Sequence, residues 1–212
     1  MNQLIVDQSI KQFKIPVMVN SFPMKSTMVH YEVVLNEHEM NQTLMQEIDK
    51  HATQQILFDP GSRQNDTRII GADMTNWNMR EHPGFKKLMA ITDTVVKDLQ
   101  YRVFDLKIPV YLKEIWGTKY KSNDETIEHN HYPSSWSFVY YPNEVEGAPG
   151  LTFGEAGVER TIKKGMLLFF HSMLKHSVRK QEFKGFRYCV AGNYETKDIM
   201  NWVDKNFRNK II

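Results

Sequence analysis

From Val110 onward the chain reads VYLKEIWGTKY (residues 110–120), SWSFVYY (135–141), GLTF (150–153), RTIK (160–163), MLLFF (166–170), HSVRK (176–180) and FRYCVAGNYE (186–195). Each run is short and rich in β-branched or aromatic residues, and turn residues such as PNE (142–144), GAPG (147–150) and KKG (163–165) separate them. Serial short strands of this kind predict a barrel or sandwich for the C-terminal half. Within SWSFVYY, Trp136, Phe138 and Tyr140 alternate with Ser135, Ser137, Val139 and Tyr141, and either set reads as a barrel wall.

Upstream, IPVMVNSF (15–22) and MVHYEVVL (28–35) predict two strands joined across a Pro/Lys/Ser stretch. Asn36 to Glu39 forms a capping-box pattern, Leu35 and Met40 are placed for a hydrophobic staple, and Met40, Leu44 and Ile48 are spaced by four, which predicts a helix to about Ala52. DPGSRQNDTR (59–68) reads as a surface loop leading into the extended segment IIGADMTNW (69–77). Pro83 suits a first helical turn, and Phe85, Leu88, Ile91, Val95 and Leu99 follow at helical spacing. From Thr196 to Phe207, Ile199, Trp202 and Val203 fall on one side of an expected closing helix.

With no repeat, low-complexity tract or long linker, the chain parses as one α+β domain over residues 1–212. Residues 1–108 supply N-terminal strands and supporting helices, 109–195 the β core, and 196–212 the closing helix.

Composition narrows the function classes. A chain of 212 residues with 41% hydrophobic and 25% charged side chains can bury a sizeable core, which argues against disorder. No stretch approaches the roughly 20 apolar residues of a membrane-spanning helix. The segment MNQLIVDQSIKQFK (1–14) has no basic region followed by an apolar run, so it does not read as a signal peptide and the expected compartment is the cytoplasm. A single cysteine, Cys189, cannot form an intramolecular disulfide or a Cys-rich zinc site, so any metal must be held by His and carboxylates. Lys plus Arg (27) nearly balances Asp plus Glu (25), so nucleic acid is not indicated, and the pairs Lys86–Lys87 and Lys163–Lys164 read as solvated faces. Twelve Met and twelve Phe are compatible with a core of adaptable gap-fillers or with plain compositional bias.

Four of the eight histidines lie between 129 and 176. On a strand, residues i and i+2 share a face, so His129 and His131 can converge on one ion. The pair alone leaves metal binding and a structural role equally open. Asn193 stands six residues after Arg187, so on a regular strand both face the barrel interior, where Asn193 could bond near a bound group or serve as a structural amide.

Further along, Gly165 leads MLLFF, His176 opens HSVRK, and Arg187 stands 11 residues later in GFRYCVAGN. Over about Val110 to Tyr194, this order resembles the Fe(II)- and 2-oxoglutarate-dependent oxygenase superfamily, and in particular its prolyl-hydroxylase-like members. HNHYPSSWSFVYYPN (129–143), GLTF, KKGMLLFFHSMLKHSV (163–178) and FRYCVAGN are similar to an oxygenase subgroup common in tailed-phage and marine bacterial genomes, and ADMTNWNM (72–79) shares that likeness more weakly.

The resemblance implies a double-stranded β-helix (jelly-roll) barrel backed by the N-terminal helices. It implies His129, His131 and His176 as metal ligands, and Arg187 and Tyr120 as partners of the distal 2-oxoglutarate carboxylate, with Asn193 close to the iron or the substrate. The cofactors would be Fe(II), 2-oxoglutarate and O2. The reaction would hydroxylate a C–H bond of a peptidyl, amino-acid or other small substrate, with succinate and CO2 as co-products. Peptide or small molecule is favoured over nucleic acid, no membrane is involved, and the host cytoplasm is the compartment if a phage encodes the protein.

The departure is His131, where most of the superfamily has a carboxylate. Three imidazoles bring no negative charge to the ion. Glu128 is the reserve carboxylate, although it should point to the opposite face of a regular strand. His171 occupies a place where relatives have proline, and is expected not to be a ligand. Trp116 and Tyr132 line either a substrate entrance or ordinary packing. A cupin is the enzyme alternative, but the positions of its expected glutamate hold Ser135 and Trp136. The non-enzyme alternative is a phage accessory or virion-associated binding protein on a degenerate oxygenase barrel, supported by His131 and opposed by Tyr120 and Arg187.

Overall fold

The β-rich runs pair into two antiparallel sheets in the computed structural model, which describes residues 18–23, 29–54, 70–104 and 109–196. In chain order the elements are β1 (Met18–Pro23), β2 (Val29–Val34), α1 (His38–His51), β3 (Thr53–Gln54), β4 (Asp73–Met74), α2 (Pro83–Phe104) and β5 (Val110–Tyr120). They continue as β6 (Thr126–His129), β7 (Trp136–Tyr141), β8 (Leu151–Phe153), a 3-10 turn (Gly154–Ala156), β9 (Val158–Arg160), β10 (Met166–His171), β11 (His176–Val178) and β12 (Arg187–Thr196). The large sheet has the order β1-β2-β10-β7-β12-β5-β4-β3 and the small one β6-β11-β8-β9. This is the jelly-roll sandwich expected of the C-terminal runs, with both helices laid on the outer face of the large sheet.

Side-chain alternation along β7 divides the interior into two cores. Trp136, Phe138 and Tyr140 join Met40, Leu44 and Ile48 of α1 and Phe85, Leu88, Ile91, Val95 and Leu99 of α2. Val139 and Tyr141 point the other way, into a second core between the sheets with Trp116, Phe153, Phe170 and Val178. The buried Trp136 indole donates to Gln100 of α2 at 2.7 Å.

α1 approaches β5 closely because Gly117 has no side chain. A Cβ built there would lie 2.4 Å from Ile48 Cγ1 and 3.3 Å from Phe85 Cζ. Gly117→Ala should therefore overpack this seam and cost about 1–3 kcal/mol. Urea denaturation would show it as a lowered midpoint with an unchanged slope.

Several expectations need correction. The capping box does not form: Glu37 is the N-cap and makes no side-chain capping bond, because its carboxylate instead pairs with Lys87 Nζ at 2.6 Å. RTIK is not a strand, since pairing with β8 uses Val158–Arg160 and the chain leaves the sheet at Thr161. β6 was not expected as a separate strand. The closing helix beyond Thr196, the loop at 59–68, the stretch joining β1 to β2 and the N-terminal segment 1–17 lie outside the described residues. Among the described residues, no helix is long and apolar enough to cross a membrane.

Candidate metal centre and adjoining pocket

His129 ends β6 and His176 opens β11, and antiparallel register sets the two directly opposite each other. His131 arrives differently from the same-face expectation. The strand stops at His129, and His131 lies in the following turn, fixed by its N–H to Ser172 O (2.8 Å) and by its carbonyl accepting from Ser134 N (2.9 Å). The turn folds back over the strand end and brings the third imidazole to the other two.

Ring centroids lie 5.0 Å apart for His129 and His131, 4.5 Å for His129 and His176, and 5.0 Å for His131 and His176. Their candidate ligand nitrogens all fall within 4.8 Å of one another, the one such gathering of His, Cys, Asp or Glu among the described residues. His131 Nε2 and His176 Nε2 are 3.2 Å apart. Two nitrogens at right angles on one ion, each about 2.1 Å away, would be separated by about 3.0 Å, so this pair fits a shared ion.

His129 Nδ1 meets Ile127 O at 2.8 Å, and His176 Nδ1 meets Leu174 O at 2.9 Å. A carbonyl only accepts, so both rings carry their proton on Nδ1 and turn an Nε2 lone pair inward. Burial lowers the pKa of all three rings, with the neighbouring imidazoles adding to the effect at His131 and His176, and that of His176 falls to about 3. Neutral imidazole is the form a metal needs.

Glu128 is exposed, with Oε1 beside Gly154, and does not join the cluster. His171 packs its ring 6.1 Å from Trp136 and accepts the Met173 N–H at 3.3 Å, also away from the cluster.

The three imidazoles open into a cavity of about 510 Å³ between the sheets, part of it open to solvent, whose other walls include Trp116, Tyr120, Thr126, Arg187 and Cys189. Arg187 is paired with Tyr120 in the β12–β5 register and is only 1% exposed. Its guanidinium sits 3.9 Å from the Tyr120 ring centroid, and Nη1 donates to Pro149 O at 2.7 Å. Its buried Nε has no partner among the described residues. A buried N–H left unbonded marks a place for an acceptor, and a carboxylate suits the planar fork. Tyr120 shares a 2.6 Å hydrogen bond with Thr126, and burial pushes its pKa up to about 12, so the phenol is neutral.

Asn193 does not line the cavity as expected of a cofactor contact. It stands behind His131, with Nδ2 3.4 Å from His131 Nδ1 and 2.5 Å from Glu114 Oε1. Tyr132 is 73% exposed, whereas Trp116 is buried, with its ring centroid 5.9 Å from that of His131. Sequence reasoning missed Trp77, which packs edge-on against Trp116 at 4.6 Å, and Glu114, whose only signal is a cross-strand register not visible in a linear chain.

No protein-family model and no curated protein matches the chain. Solved structures do match. A Trichoplax adhaerens prolyl hydroxylase, solved with a hypoxia inducible factor oxygen degradation domain peptide, has 17% identity and a TM-score of 0.54 over 74% of this chain and 79% of its own. A Pseudomonas putida prolyl-4-hydroxylase has 15% identity and a TM-score of 0.54 over 84% and 92%. The non-heme alpha ketoglutarate dependent epimerase SnoN of nogalamycin biosynthesis has 12% identity and a TM-score of 0.57 over 80% and 77%. Around its three gathered histidines, this chain has the jelly-roll fold that those prolyl hydroxylases and that epimerase share.

Proposed function

We propose that the protein is an Fe(II)- and 2-oxoglutarate-dependent oxygenase that hydroxylates a C–H bond of a peptidyl, amino-acid or other small substrate. One observation carries this reading: three neutral imidazoles line the same cavity as Arg187, whose buried Nε–H has no partner among the described residues. His129, His131 and His176 would hold the ion. Arg187 would grip the distal carboxylate of 2-oxoglutarate, with Tyr120 holding the guanidinium plane from one side.

When bound, Fe(II) and 2-oxoglutarate supply the activation of O2, so that substrate, 2-oxoglutarate and O2 become hydroxylated product, succinate and CO2. The chain contributes position and dryness. Val139, Leu151, Phe170 and Val178 make an apolar wall that keeps bulk water from the reacting groups, and Trp116 flanks the histidines. A reducing compartment such as the cytoplasm suits both Fe(II) and the free, buried Cys189 thiol.

Anaerobic titration with Fe(II) and then 2-oxoglutarate tests the reading. A visible metal-to-ligand charge-transfer band that saturates with 2-oxoglutarate is the expected result, and succinate should form once O2 is admitted. Failure of 2-oxoglutarate to produce any band on the Fe(II)-loaded protein would overturn it.

A further inference from the structure

Resting on the three-histidine reading, we infer that Glu114 and Asn193 are positioning residues that hold His131, alone of the three histidines, with its proton on Nε2 in the metal-free protein. His131 is thereby the last ligand to engage. The geometry behind this is a chain of hydrogen bonds whose directions chemistry fixes.

Glu114 and Asn193 face each other across β5 and β12. An ionised carboxylate only accepts, so the Asn193 atom 2.5 Å from Glu114 Oε1 must be the NH2 group. On the opposite side of the amide, the Ser137 hydroxyl donates to Asn193 Oδ1 at 2.8 Å, and Ser172 in turn stands 2.8 Å from Ser137 as its donor. Both constraints orient the amide alike. Its second N–H is then the group that reaches His131 Nδ1 at 3.4 Å, so that nitrogen accepts.

A neutral imidazole whose Nδ1 accepts has its proton on Nε2. His131 Nε2–H accordingly points at the lone pair of His176 Nε2, 3.2 Å away. His129 and His176 have the opposite tautomer, because backbone carbonyls occupy their Nδ1 atoms.

For His131 to bind an ion through Nε2, its proton must move to Nδ1 and the Asn193 amide must turn to offer Oδ1. That rotation sets Oδ1 against the Glu114 carboxylate, acceptor against acceptor with no proton between them. Glu114 therefore opposes ligation by His131, while leaving His129 and His176 ready to bind. Glu114→Gln removes the opposition, since a glutamine amide can either accept from Asn193 or donate to it.

Nitrogen-15 NMR of the imidazoles in the metal-free full-length protein reads the tautomers directly. The expected spectrum has His131 protonated on Nε2, and His129 and His176 on Nδ1. In the Glu114→Gln variant, an Nδ1–H population should appear at His131, and Co(II), used as the probe ion, should bind roughly tenfold more tightly, the change that follows from replacing a charge-assisted bond by a neutral one. This gain should vanish when His131→Ala is added. A wild-type His131 protonated on Nδ1, or Co(II) affinity that is unchanged or weaker in Glu114→Gln, would overturn the proposal. If that variant does not fold, the wild-type spectrum decides alone. Neither readout involves 2-oxoglutarate or O2, so a protein that showed the expected tautomers but bound no 2-oxoglutarate would sink the oxygenase reading and leave this one standing.

Discussion

Replacing Arg187 by alanine is expected to weaken 2-oxoglutarate binding roughly ten- to a hundredfold, the equivalent of losing a charge-assisted contact of about 1.5–3 kcal/mol. Fe(II) affinity should be unaffected, because the guanidinium makes its described contacts with Tyr120, Tyr141 and Pro149 and none with the histidines. The side chain is also structural, since its loss leaves the Pro149 carbonyl without its buried donor. Arg187→Lys separates the two roles. It keeps a positive charge in the same place but loses the planar fork, and should give an intermediate loss. Tyr120→Phe should act in the same direction and more weakly, because its hydroxyl already bonds Thr126. Anaerobic titration followed at the charge-transfer band measures each variant, and an unchanged 2-oxoglutarate affinity in Arg187→Ala would remove this residue from the site.

Features that depend on local spacing were legible in the sequence. The apolar period from Phe85 to Leu99 is the buried face of α2, and the alternation in SWSFVYY separates the two cores as a strand must. The gathering of His129 with His176 was expected only from the resemblance to the oxygenases, and β6 and β11 bring the two face to face. His131 was expected beside them for a reason the structure replaces. Period-two alternation was assumed to continue past His129, but the strand ends there, and hydrogen bonds with Ser172 and Ser134 set the turn instead. The Ser172 contact joins residues about 40 apart in the chain and leaves no periodic trace.

Asn193 shows the same limit more sharply. Its distance of six residues from Arg187 correctly indicated an inward position, and it is 1% exposed. What it touches there depends on which residue of β5 lies opposite. Register placed Glu114 at that point, so the amide serves His131 from behind rather than entering the cavity. A carboxylate in a strand of mixed polarity reads as an ordinary solvated side chain until the pairing is known.

The identity of residue 131 decides how the centre works, and exchange of single histidines tests it. Loss of an outer-shell partner of a ligand typically costs 10–100-fold in metal affinity, so removal of a proposed ligand with a preset Nε2 lone pair, as in His176→Ala, should cost more than that and abolish turnover. His131→Asp should behave in the opposite way. An aspartate there brings a negative charge to the ion, and the Asn193 N–H already points at that position, where a carboxylate accepts it without any rotation against Glu114. The variant is therefore expected to retain Fe(II), bind it at least as tightly as the native protein, and lose all sensitivity to Glu114→Gln. Wild type itself should convert 2-oxoglutarate to succinate, slowly without substrate and faster with it, because the three imidazoles and the Arg187 side chain proposed to hold the two halves of the co-substrate line one cavity. Equilibrium metal titration and succinate release under O2 with Fe(II) and ascorbate measure these outcomes. Succinate from His131→Asp but not from wild type would show that three imidazoles hold the metal without supporting its chemistry, and succinate from neither, across peptides and small metabolites, would make the barrel a binding module.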